Sequence, residues 1–117
     1  MNKIIDRVFC GLMAFASLGH LFGTFKFTQF GTGLFVWSLS GVLAAGLLVA
    51  LNILRNFRPK DKAIAGVALA GNLAWIGIVI LFGLSIGNLF DFRVLFHGVA
   101  AMGLSYFSFR TLQKHGK

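Results

Sequence analysis

Four long stretches of this chain carry no Asp, Glu, Lys or Arg: Val8 to Phe25, Phe27 to Leu54, Ala63 to Phe90 and Val94 to Phe109. At about 1.5 Å per helical residue even the first run reaches roughly 27 Å, close to the roughly 30 Å hydrocarbon core of a bilayer. The last run is the shortest, but Phe92 precedes it and the long side chain of Arg110 can snorkel towards headgroups at its end. The pattern predicts an all-α integral membrane four-helix bundle in one domain, with spans at about residues 5–25, 33–54, 63–84 and 92–111.

The charges between the runs predict an orientation. Lys3 and Arg7 precede the first span; Arg55, Arg58, Lys60 and Lys62 separate the second from the third; Arg110, Lys114 and Lys117 close the fourth. Only Lys26 and Arg93 fall in the other two connections. Lys and Arg accumulate in short cytoplasmic loops, so both termini are expected in the cytoplasm, in a multi-pass protein of the bacterial inner membrane.

That topology also accounts for the net charge of +8. In a soluble domain such a charge suggests a nucleic-acid partner; here it serves as an orientation signal and attracts anionic lipid, at about 1 kcal/mol per basic residue near the surface, with no nucleic acid required. A chain that is 57% hydrophobic and 12% charged cannot cover the surface of a soluble domain of this size. Met1 to Ala16 imitates a cleavable signal peptide, with Lys3, Arg7 and an Ala14-Phe15-Ala16 triplet, and is read as the first span. Cys10 is the only cysteine, which excludes intrachain disulfide and dithiol chemistry.

The connections are short. Pro59 stops the second helix and leaves Asp61 to cap the third; Asp91 can cap the fourth; Gly31-Thr32-Gly33 lies in the first connection. Brief connections make consecutive helices antiparallel neighbours, up-down-up-down. Membrane helices use small residues to approach closely, so Gly19 and Gly23, Gly83 and Gly87, and a stripe of Gly98, Ala101, Ser105 and Ser108 are candidate packing surfaces.

Intramembrane ionisable residues are the main functional signal in such chains. The uncharged runs place no carboxylate inside a span, which argues against a proton-coupled exporter built on a buried Asp or Glu. His20 and His97 remain, with Tyr106 a weaker candidate. His20 lies six residues before Lys26 and His97 six after Asp91, so both sit about 9 Å inside the outer end of their helices. Two facing imidazoles have the chemistry to ligate haem iron, bind a metal ion or relay a proton, although a closed zinc site wants four ligands. The plainer alternative is a neutral histidine hydrogen-bonded to a neighbouring helix. Ser17, His20 and Thr24 share one helix face; Asn72 and Trp75 lie mid-span in the third helix, with Trp37 and Ser40 towards the outer part of the second. Together they could line an outward-facing pocket. An amide as deep as Asn72 needs a partner, and Trp37 suits an interfacial aromatic belt.

Gly19-His20-Leu21-Phe22-Gly23-Thr24 resembles a GH-x-x-GT element of small bacterial four-helix membrane proteins, and in length and helix count the chain is similar to the DoxX-like group. The resemblance implies the architecture and carries over no catalytic residue.

Three functions are compatible with these residues. The first is a non-enzymatic accessory or assembly bundle that associates with itself or with a larger membrane partner; it predicts a Gly- and Phe-rich helix face left open in the protomer. The second is a small-solute or ion binding or transport protein using His20, His97 and Asn72. The third is a redox protein with haem b or a metal held by His20 and His97. No Ser or Cys stands beside a histidine and an acid, so the chain is not expected to be an enzyme.

Overall fold

The computed structural model describes residues 2–114 as four α-helices: α1 (Asn2–Phe27), α2 (Gly33–Phe57), α3 (Lys62–Ser85) and α4 (Phe92–Lys114). Lys117, counted above among the basic residues, lies outside the described residues.

The ends of α2 and α3 and the start of α4 fall where the sequence supplies capping residues. Thr32 caps α2, its hydroxyl accepting from the Phe35 amide at 3.2 Å. Pro59 follows the C-cap Arg58, whose amide bonds to the Leu54 and Arg55 carbonyls. Asp61 caps α3 by accepting from the Ile64 amide at 3.1 Å, as its position predicts. At the other end of α3 the amides of Gly87 and Asn88 bond back to the Leu84 and Gly83 carbonyls. This is a Schellman motif, and Gly87 supplies its left-handed residue with φ of 71°. Gly87 therefore turns the chain, and only Gly83 of the expected pair lies at a packing surface. Asp91 then receives the Arg93 amide at 2.9 Å in the first turn of α4.

Consecutive helices pack side by side, α4 closes back on α1, and α2 and α4 form the shorter diagonal, in a bundle about 50 Å long. One end carries the start of α1, the α2–α3 connection and the end of α4; it is called here the terminal end. The opposite, loop end carries the other two connections. Cys10, Met13, Leu48, Ala100, Ala101 and Leu104 form the apolar core between them.

Three helices, α1 to α3, are long and apolar enough to cross a membrane. The expected fourth span differs. α4 has 23 residues, roughly 35 Å of helix, but Arg93, His97, Ser105, Ser108 and Arg110 lower its apolar content. Two of these, Ser105 and Ser108, are turned into the bundle.

The close contacts fall at glycines other than Gly19 and Gly23. A Cβ on Gly103 would collide with the Phe9 ring of α1, and one on Gly71 would meet Leu48 of α2 at 2.9 Å. At Gly83 it would meet Leu89 at 2.8 Å. Gly19 and Gly98, expected to pack, have nothing within 4 Å of such an atom, and Gly23 has only Phe27 of its own helix. Four-residue spacing puts small residues on one face, but the rotation of the helix decides whether that face meets a neighbour. Ala101 and Ser105, from the same expected set, are buried.

Candidate functional site

The most extensive polar assembly lies towards the terminal end and uses all four helices. Asp6, one turn into α1, is 4% exposed, and Arg55, in the last turn of α2, is 1% exposed. Two parallel bonds join them: Arg55 Nη1 donates to Asp6 Oδ2 at 2.8 Å and Nη2 to Oδ1 at 2.6 Å. The planar guanidinium matches a carboxylate in this fork geometry, which makes the contact directional as well as strong. Asn56 Nδ2 adds a bond to Asp6 Oδ2 at 2.9 Å, and Arg7 Nε donates to Asn56 Oδ1 at 3.0 Å.

The remaining donors of Arg55 carry the network inward. Nε and Nη2 reach Asn52 Oδ1 at 3.4 and 3.3 Å, and Nη1 reaches Thr111 Oγ1 of α4 at 3.4 Å, so each of the five N–H groups has an acceptor. Asn52 and Asn72 then form a reciprocal amide pair across α2 and α3, at 2.8 and 3.0 Å. Asn72 Nδ2 also donates to Ser108 Oγ of α4 at 3.2 Å. Among the described residues no buried side-chain nitrogen or oxygen lacks a partner. In a low-dielectric interior an unmatched member would be expensive, and a fully matched network fixes one register of the four helices.

Most of this network is not apparent from the sequence. Arg55 reads as a loop charge that sets topology, whereas its side chain is folded into the bundle. The uncharged runs hold no carboxylate, yet Asp6 is buried inside α1. Both residues stand at the edges of uncharged runs, where counting assigns them to solvent. A signal was present: Asn52, Arg55 and Asn56 recur at three- and four-residue spacing and mark a polar face near the end of an apolar helix. The partners that the deep Asn72 amide needs are Asn52 and Ser108.

A second, smaller polar group lies towards the loop end. His20 Nε2 donates to the Ser38 carbonyl of α2 at 3.1 Å, and Thr24 Oγ1 and Ser38 Oγ are 2.5 Å apart. Gly41 makes room for the imidazole, because a Cβ there would stand 3.1 Å from His20 Nε2. Of the GH-x-x-GT element, His20 and Thr24 thus join α1 to α2 through one serine. Ser17 bonds the Met13 carbonyl of its own helix at 2.9 Å, and Ser40 likewise bonds Trp37. Trp37 is exposed.

His97 has a different neighbour. Trp75 Nε1 of α3 donates to His97 Nδ1 at 3.3 Å, and the two rings tilt against one another. An indole N–H only donates, so this Nδ1 carries a lone pair and no proton. A carbonyl only accepts, so His20 Nε2 carries the proton. One nitrogen of each ring, His20 Nε2 and His97 Nδ1, is therefore engaged with a helix neighbour. Among the described residues no group of three or more His, Cys, Asp or Glu side chains is placed to hold a metal ion.

No family model, curated protein or solved structure matches this chain.

Proposed function

We propose that this chain is an integral inner-membrane bundle of four antiparallel spans, with both termini cytoplasmic, that works as a non-enzymatic accessory or assembly unit by docking against a membrane partner or a second copy of itself. In this reading α4 crosses with the others. Ser108 turns inward to Asn72 and Thr111 to Arg55, while Arg93, Arg110 and Lys114 lie near its two ends, within reach of headgroups. The DoxX-like resemblance belongs to the same proposal and bears on architecture alone.

One observation carries the docking role. Gly11, Phe15, Leu18, Gly19 and Phe22 recur along one face of α1 and are exposed. Aromatic ridges separated by glycine gaps suit the close approach of another helix, and a bundle that packed only within itself would gain more by turning such gaps inward. The matched polar interior supports the same reading, since its donors and acceptors are spent on holding helices together.

Gly19 supplies a clean test. Gly19 is exposed and nothing lies within 4 Å of an added Cβ, so Gly19→Leu should leave the protomer's circular-dichroism melt unchanged while filling the groove a partner helix would enter. Chemical cross-linking in native membranes should trap a defined adduct with the unsubstituted chain and lose it with Gly19→Leu. An adduct that persists in Gly19→Leu and Gly11→Leu, or a chain that is never trapped, overturns the proposal.

A further inference from the structure

The terminal end is far more basic than the loop end once internal pairs are removed. Asp6 and Arg55 neutralise one another inside the bundle. Lys3, Arg7, Arg58, Lys60, Lys62, Arg110 and Lys114 are all exposed there. Against these seven cations stands one further carboxylate, Asp61, already engaged in capping α3 and 3.7 Å from Arg58. At the loop end the exposed cations are Lys26 and Arg93, and Arg93 is paired with Asp91 at 2.9 Å.

An apolar collar lies directly above this basic ring. Ile4, Ile5, Val8, Ile53, Leu54, Phe57 and Phe109 are exposed within about two turns of the same helix ends. One cation is tied to that collar and another lies beside it: the Arg7 guanidinium lies 5.2 Å from the centre of the Phe57 ring, and Arg110 lies over Tyr106, bonding its hydroxyl at 2.9 Å. These contacts hold positive charge at the boundary between apolar surface and water.

We infer that this collar and ring form a docking surface for anionic phospholipid, the headgroup phosphate held by the exposed cations and the acyl chains lying along the Ile and Phe collar. The inference rests on the membrane-spanning reading and goes beyond orientation, because an orientation signal needs charge alone, whereas here seven exposed cations border an exposed apolar collar; at the loop end, where Lys26 and Arg93 also lie over rings, there are only two cations and one is paired with Asp91. A soluble polyanion would match the charge and leave the collar uncovered. The lipid satisfies both.

The test uses the full chain in neutral detergent micelles, with melting followed by circular dichroism during titration with phosphatidylglycerol, phosphatidylcholine or inorganic phosphate. Phosphatidylglycerol should raise the melting temperature at lower concentration than either alternative, and added salt should weaken the effect. Each neutralised cation should raise the half-maximal lipid concentration roughly fivefold, so Arg58→Gln, Lys60→Gln, Lys62→Gln and Lys114→Gln together should raise it more than a hundredfold. Lys26→Gln, at the loop end, should change nothing. If the fourfold variant fails to fold, Lys60→Gln with Lys62→Gln should still show a shift of more than tenfold. Equal stabilisation by the two lipids, an equal effect of inorganic phosphate, or an unchanged response in the variants would each overturn the inference. Failure of the membrane reading is distinguishable, because the chain would then not float with vesicles of phosphatidylcholine alone.

Discussion

Replacing Arg55 by Met would leave the Asp6 carboxylate buried with the Asn56 amide, at 2.9 Å, as its remaining side-chain partner. Removing one member of a buried pair costs about 3–5 kcal/mol, because the survivor keeps its desolvation penalty without the compensating charge. That corresponds to roughly two to four orders of magnitude in the unfolding constant. Asp6→Leu should cost a similar amount: Arg55 would retain bonds to Asn52 and Thr111 only at 3.3 to 3.4 Å. The double variant removes both charges, and its loss should fall to about 1–2 kcal/mol, mostly for the Asn56 bond. The predicted coupling between the two sites therefore exceeds about 4 kcal/mol. Reversible unfolding in mixed micelles with rising SDS, followed by circular dichroism, measures all corners of the cycle. Single-variant losses below about 1 kcal/mol, or a double variant no better than the sum of the singles, would show that water reaches the pair and would refute the reasoning.

Other perturbations probe separate parts of the bundle. Gly103→Leu forces the Phe9 ring of α1 aside and should destabilise by about 1–3 kcal/mol in the same SDS titration, while Gly98→Ala, with open space around it, should be near neutral. Asn72→Leu removes both bonds of the amide pair and the bond to Ser108, while Asn52 keeps the Leu48 carbonyl and Arg55 as partners; with membrane hydrogen bonds averaging roughly 0.6 kcal/mol each, the loss should be about 1–2 kcal/mol. At the loop end, hydrogen bonds from the Arg93 side chain and amide hold Asp91 below the ordinary carboxylate value of 3.8. A lowered folded value means that this contribution is fully present above the unfolded value and is lost as pH falls through the folded one. The carboxyl carbon resonance of Asp91 should accordingly titrate with a midpoint below 3.8, and a midpoint at or above it would contradict the pairing.

The sequence made the architecture legible because the uncharged runs and their connections follow directly from bilayer thickness and helix capping. Asp61, Asp91 and Pro59 act where their chemistry places them. The polar network was less visible for a physical reason: Asp6 and Arg55 lie beyond the ends of the runs, and which way a terminal side chain turns depends on a partner in a remote segment. Arg55 points inward because Asp6 is there to meet it, 49 residues away in the chain. The same limit applies to His20 and His97. Spacing sets their depth along the helices, yet helix rotation sends one ring to Ser38 and the other to Trp75. Glycine spacing likewise identified small-residue faces without showing that Gly103 and Gly71 would be the ones in contact.

The central claim, four membrane crossings with both termini inside, is tested most directly by accessibility of single cysteines in sealed cells. Cys10 is buried and can be replaced by Ser, after which a cysteine is placed at Gln29, Lys60, Asn88 or Lys114, one in each connection and one at the end of α4. An impermeant maleimide should label Gln29→Cys and Asn88→Cys in intact spheroplasts, and Lys60→Cys and Lys114→Cys only after permeabilisation. Labelling of Lys114→Cys from outside would show that α4 does not cross, and labelling of Lys60→Cys from outside would contradict the topology altogether.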